Sequence, residues 1–171
     1  DLDYAKKELG SKAKIVAFNY VSNALGTINP VEGLIALAKK AGAYVVIDGA
    51  QAVAHFDINV QSLNCDFFLF SAHKMYGPTG LGVLWGKKDL LEILPPYRYG
   101  GEMIRKVSVT GTTFNDLPFK YEAGTPNIEA VIAFNESISF CKEVGRAAMH
   151  KHELHLLKLA TDELRQIEGA T

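Results

Sequence analysis

Apolar residues fall in four short runs between positions 13 and 86. Ala13 to Phe18 carries Ile15, Val16 and Phe18, and Tyr44-Val45-Val46-Ile47 is apolar throughout. Asp66 to Phe70 contains Phe67-Phe68-Leu69-Phe70, and Leu81 to Gly86 holds Val83, Leu84 and Trp85 between glycines. Such runs, rich in β-branched and aromatic residues, predict strands. From Val31 to Ala41 the spacing changes: Leu34, Ile35, Leu37 and Ala38 recur at helical intervals, and Gly42 ends the run. The stretch from Tyr20 to Pro30 has the Gly, Asn and Pro of a structured loop. A loop or short helix holding Asp48, Gly49, Ala50 and Gln51 follows the second strand. Strand, helix, strand with continuous apolar runs predicts a mostly parallel sheet flanked by helices and buried on both faces. The link between the third and fourth strands is too short for a helical crossover, so the fourth is expected to run antiparallel.

Past Asp89 the pattern loosens. Asp89–Leu94 reads as a short helix stopped by Pro95-Pro96. Tyr97 to Pro126 reads as a long irregular segment, a length that usually serves a function or meets a partner. Two helices close the chain, Ile128–Val144 and Arg146–Ile167. The second shows an apolar stripe through Leu154, Leu157, Ala160, Leu164 and Ile167. No internal repeat, low-complexity tract or linker divides the sequence.

The 171 residues suffice for one domain with a substantial core. A formal net charge of -1 gives no electrostatic basis for binding nucleic acid or an anionic membrane. No apolar run approaches the ~20 residues of a membrane span. The start, Asp1 to Lys7, has neither the apolar core of a signal peptide nor an initiator Met, so a start within a longer protein is expected. Cys65 and Cys141 are far apart and have apolar neighbours. They read as buried small residues in a reducing, cytoplasmic setting.

The chemistry gathers where the predicted strands end. In an open α/β sheet, ligands bind beyond the carboxyl ends of the strands. Asn23, Asp48 and the run Ser71-Ala72-His73-Lys74 all fall there. A lysine just past a buried strand has its amine partly withdrawn from water, which favours attack on carbonyls. An aspartate at a neighbouring strand end completes the pair that pyridoxal phosphate requires: an amine for its aldehyde and an anion for its pyridinium nitrogen. Ser71 and His73 are candidate phosphate donors, and Gln51 the candidate contact for the phenolic oxygen. Gly77-Pro78-Thr79-Gly80-Leu81-Gly82 fits neither the dinucleotide fingerprint nor the P-loop and reads as a tight turn after Lys74. His150, His152 and His155 lack a zinc-ligand spacing and read as a solvated helix face, so no metal site is expected. The lysines at 6, 7, 39, 40, 87 and 88 read as surface doublets.

Three segments carry a family resemblance: Asp48-Gly49-Ala50-Gln51-Ala52-Val53, Ser71 through Gly82, and Glu122-Ala123-Gly124-Thr125-Pro126-Asn127. Together they resemble the class V aminotransferase-family cysteine desulfurases, most of all the SUF-type (group II, selenocysteine lyase-like) branch. Val21-Ser22-Asn23-Ala24-Leu25-Gly26-Thr27 and Gly100-Gly101-Glu102-Met103-Ile104 match that branch too. The resemblance covers nearly the whole chain. It implies fold-type I, with residues 1–171 as the later half of a large cofactor-binding domain, C-terminal helices included. The start of that domain and a C-terminal small domain are missing from the pattern. It also implies roles: Lys74 holds the cofactor and shuttles protons, Asp48 pairs with the pyridinium, and Gln51 contacts the phenolic oxygen. Ala50 lies against the ring, Ser71 and His73 hold the phosphate, and Asn23 approaches the substrate carboxylate or the cofactor. Thr125, beside Gly124, reaches the partner subunit's phosphate in a homodimer.

Neither Cys65 nor Cys141 lies in a motif matching the family's persulfide-forming cysteine, and the arginine that grips the substrate carboxylate has no counterpart. The expected parent converts L-cysteine to L-alanine and passes sulfur as a persulfide to an acceptor protein for iron–sulfur cluster assembly. The chain alone is expected to be inactive. Another class V enzyme (a small amino-acid aminotransferase, a selenocysteine lyase or a kynureninase-like hydrolase) and a non-catalytic dimerisation or binding remnant are the alternatives.

Overall fold

The computed structural model describes residues 2–10 and 13–169. In chain order the elements are α1 (Leu2–Glu8), β1 (Ile15–Asn19), α2 (Val31–Lys40), β2 (Tyr44–Asp48), α3 (Val60–Leu63) and β3 (Phe67–Ser71). They continue with β4 (Gly82–Gly86), α4 (Lys88–Ile93), β5 (Ile104–Ser108), β6 (Gly111–Phe114), α5 (Ile128–Val144) and α6 (Arg146–Leu164). The main sheet has the order β1-β2-β3-β4. β1 pairs parallel with β2 and β2 parallel with β3, whereas β4 runs antiparallel to β3, as its short connection predicts. α2 forms the crossover between β1 and β2. No helix among the described residues is long and apolar enough to cross a membrane.

One buried cluster holds the elements together. It contains Ile35 and Ala38 from α2, Val45 and Ile47 from β2, Phe68 from β3, Phe134 and Cys141 from α5, and Met149 from α6. Withdrawing each of the larger apolar side chains from water contributes about 1.5–3 kcal/mol. Cys65 and Cys141 are both buried and free of disulfides, as expected of them, and burial pushes the Cys65 thiol up.

The sheet is not buried on both faces. Strand alternation sends Val45, Ile47 and Phe68 into the cluster and Ile15, Tyr44, Leu69 and Leu84 to the opposite face. Those four side chains are exposed. The physical reason is that α2, α5 and α6 all feed the same cluster, while on the other side α4 reaches only the Phe67–Gly86 end through Leu91.

Three further expectations change. Residues 104–114 form an exposed antiparallel hairpin rather than irregular chain. α6 ends at Leu164, and Leu154, Leu157, Leu164 and Ile167 are exposed, so most of its apolar stripe stays open. Two of the lysines read as surface turn inward. Lys39 donates to Asp66 Oδ2, and Lys87 Nζ lies 3.1 Å from Asp66 Oδ1. The Val45 N–H also donates to Asp66 Oδ2, at 2.8 Å. Burial alone would raise the Asp66 carboxyl, but the bonds from Lys39, Val45 and Lys87 outweigh it and hold the group below the usual carboxylate range. This ion cluster stitches α2, β2, β3 and the start of α4 together.

Gly49, just past β2, lies against the core. A Cβ there would stand 2.0 Å from Phe68 Cζ, with Phe68 only 2% exposed. Gly49→Ala is therefore expected to overpack the site and cost about 1–3 kcal/mol. A denaturant midpoint measured against the parent chain checks this; an unchanged midpoint would show that the Phe68 ring yields freely.

Candidate active site

The register of the sheet decides which strand-end residues share a face. Asn19 pairs with Asp48, and Asp48 with Leu69, which lies two positions before Ser71. Alternation then places Asn19, Asp48 and Ser71 on one face, the same side as exposed Tyr44 and Leu69. The carboxyl ends of three neighbouring strands thus present polar side chains on the open side of the sheet.

After Asp48 the chain turns at once. Asp48 Oδ1 accepts from the Ala50 N–H at 2.9 Å, and Gly49 O accepts from Ala52 N at 2.8 Å. This local closure leaves Ala50 and Gln51 half-buried beside the strand end. Two contacts from α6 brace the same stretch. Arg146 donates to Val53 O, and His55 Nδ1 sits 2.7 Å from Glu153 Oε1. His55 and Glu153 belong to no motif in the sequence. Nothing local points to a pair 98 residues apart.

After Ser71 the chain coils into a single 3-10 turn, Ala72–Met75, which carries His73 and Lys74. Ala72 and Met75 are buried and anchor the turn, leaving His73 exposed and Lys74 half-buried. Tyr76 adopts the left-handed conformation at φ 59°, and Gly80 follows at φ 77°. The Ala72 N–H donates to Leu81 O at 3.0 Å, closing the loop back onto β4. The Gly77-to-Gly82 stretch is therefore the tight turn its glycines predict.

Among the described residues, Lys74, Gln51, Ser71 and His73 make no side-chain hydrogen bond, and Asp48 makes only its local turn. A primary amine, a carboxylate, an amide, a hydroxyl and an imidazole are thus left open along neighbouring strand ends. That donor set matches the aldehyde, ring nitrogen, phenol and phosphate of pyridoxal phosphate. Asn23 lies four positions past the end of β1. It sits exposed in a turn whose Ala24 and Leu25 N–H groups both donate to Ser22 Oγ at 3.3 Å. Thr125 is exposed ahead of α5, next to Gly124 at φ 81°, whose N–H donates to Gly101 O at 3.0 Å. The structure brings Asp48, Gln51, Ser71, His73 and Lys74 to one sheet end and leaves Thr125 on a separate loop. A cavity of about 620 Å³ lies elsewhere, lined by Lys88, Glu92, Asn115, Asp116 and Lys120. It contains none of these groups.

A mostly parallel α/β sheet with a lysine turn at its carboxyl end defines an open α/β protein with a ligand site at its strand ends. The particular family follows from comparison with known proteins. The aminotransferase class-V family model matches residues 1–171, and the chain belongs to that family. It is 45% identical over 164 residues to a cysteine desulfurase of Pectobacterium atrosepticum, covering 95% of this chain and 40% of that protein. The cysteine desulfurase CsdA of Escherichia coli superposes with a TM-score of 0.95 at 38% identity, over 99% of this chain and 42% of that one. The apo cysteine desulfurase of Thermococcus onnurineus NA1 gives a TM-score of 0.91 at 39% identity, over 97% of this chain and 42% of that one. The chain thus spans about two fifths of the length of the relatives it matches.

Proposed function

We propose that this chain is the lysine-bearing part of the cofactor domain of a cysteine desulfurase of the SUF type. The parent would convert L-cysteine to L-alanine and hand the sulfur to an acceptor protein for iron–sulfur cluster assembly. The observation that carries the reading is the 3-10 turn holding Lys74 beside the shared face of Asp48 and Ser71. In this reading Lys74 anchors the cofactor and then takes and returns a proton at the substrate α-carbon. The Asp48 carboxylate faces the pyridine nitrogen and keeps its proton in place. Gln51 would donate to the phenolic oxygen, Ala50 would pack against the ring, and Ser71 and His73 would hold the phosphate. Asn23 would approach the substrate carboxylate or the cofactor. Thr125 would serve the partner subunit's phosphate, which makes a homodimer the working form, and the two buried free cysteines suit a cytoplasmic setting. Pyridoxal phosphate supplies the electron sink that makes the α-carbon acidic.

The sulfur-accepting step belongs elsewhere in the parent. Cys65 and Cys141 are 0% and 3% exposed, and burial holds the Cys65 thiol in its neutral form. The chain alone is accordingly expected to release no alanine from L-cysteine.

The test is alanine and sulfide formation by the full-length protein with added pyridoxal phosphate and L-cysteine. Asp48→Asn is expected to lower that turnover by about 10²-fold, because a neutral amide cannot hold the ring proton. A full-length protein that binds pyridoxal phosphate but leaves cysteine untouched, or an Asp48→Asn variant at wild-type rate, would overturn the assignment.

A further inference from the structure

Only two polar residues among those described are buried, Asp66 and Ser137. Asp66 is accounted for by its ion cluster, whereas Ser137, at 9% exposure in the middle of α5, has no part in the chemistry above. A serine inside a helix usually bonds back to the carbonyl one turn earlier. Ser139, two residues on, does so with Asn135 O at 3.0 Å. Ser137 instead crosses to another element and donates to Tyr76 O at 3.0 Å.

Tyr76 is the residue that ends the Lys74 turn in a left-handed conformation, which a side chain other than glycine rarely adopts. α5 grips this point three times. Ser137 holds the Tyr76 carbonyl, and the Phe140 ring meets the Tyr76 ring edge-on at 5.6 Å and 70°. The Phe134 ring fills the space a Gly77 Cβ would need, 2.6 Å away. The turn's own bond, Gly77 N–H to Ala72 O at 2.9 Å, closes only while Tyr76 stays left-handed.

We propose that Ser137 is a positioning residue for Lys74: its bond to the Tyr76 carbonyl holds the reversal that aims the lysine at the face shared with Asp48. The inference rests on the reading that Lys74 anchors pyridoxal phosphate, and it adds a residue on a distant helix to that site. Ser137 touches neither cofactor nor substrate and acts through the backbone of the turn.

The test compares Ser137→Ala with two controls on the same helix. Ser139→Ala removes a serine that bonds only its own helix, and Cys141→Ala weakens the core beside Met75 while leaving the Ser137–Tyr76 bond in place. The first readout, on the full chain, is the rate at which borohydride fixes pyridoxal phosphate to Lys74, followed by peptide mass. Ser137→Ala is expected to slow it roughly fivefold, the factor one ordinary hydrogen bond is worth, with both controls near wild type. The second readout needs no cofactor: amide hydrogen exchange at Tyr76 and Gly77 should quicken by a similar factor in Ser137→Ala alone. Should Ser137→Ala fail to fold, Ser137→Cys, of similar size but a weak donor, carries the same comparison. Equal losses in Ser137→Ala and Cys141→Ala, or unchanged exchange at Gly77, would reduce Ser137 to a packing residue. If wild-type Lys74 is never trapped, the proposed function falls, and the exchange rates still decide the role of Ser137.

Discussion

Lys74→Ala is expected to abolish covalent capture of pyridoxal phosphate and to cut turnover of the full-length protein by about 10²–10⁴-fold. That range is what a positioned proton-transfer group contributes. The fold should not notice. Lys74 is half-buried and makes no side-chain hydrogen bond among the described residues, so its loss leaves no partner stranded. Stability should stay within about 0.5 kcal/mol of the parent. Lys74→Arg sharpens the test, because it keeps the positive charge while the guanidinium cannot replace the amine as a nucleophile. Both variants should therefore lose capture while keeping the denaturation midpoint. Persistent capture at a different lysine, or full turnover in either variant, would remove Lys74 from its assigned role.

The second large effect is on stability. Asp66→Asn is expected to cost about 2–3 kcal/mol. Removing one side of a buried ion pair costs more than that, but Lys39 and Lys87 keep 30% and 32% side-chain exposure and stay partly hydrated. The effect has a pH signature. The folded carboxyl is held below its ordinary range, so the unfolded chain takes up the proton first as pH falls. The contribution is complete above about pH 5 and declines below about pH 4 as the pH drops through the lowered folded value. Urea midpoints of the two proteins should thus stand apart at neutral pH and converge in acid. A gap that stays constant down to pH 3 would mean that Asp66 works through shape rather than charge.

Why Lys74 and Asp48 stand out in the sequence, and Asp66 does not, has a physical explanation. Asp48 directly follows an apolar run, Lys74 comes four positions after another, and the composition of each run fits little but a strand. Their position relative to the sheet follows from strand order alone. Asp66 also borders such a run, but its burial depends on which member of each lysine doublet turns inward. Lys39 and Lys40 are indistinguishable until the phase of α2 against β2 is known. The hairpin β5–β6 escapes notice because its tip, Val109-Thr110, lacks the Asn-Gly or Gly signal that marks a two-residue turn. The second face of the sheet misleads for another reason. Tyr44, Leu69 and Leu84 are as apolar as their neighbours, and composition alone cannot tell a covered residue from one awaiting cover. Ser137 is similarly silent: its partner is 61 positions away, and a helical serine has a local bond available.

The reversal of β4 has an energetic consequence for the lysine. Because β4 returns antiparallel, Ser71 pairs directly with Gly82, and everything between them is a short closed loop. Closing a loop of that size costs little chain entropy, and the strand pairing meets that cost when the sheet forms. In the proposed function, an arriving anionic cofactor would therefore meet an amine whose surroundings are already ordered, so more of its contact energy would remain as affinity. Had β4 been parallel, the same lysine would sit at the start of a long crossover, and part of that ordering would fall to the binding step instead.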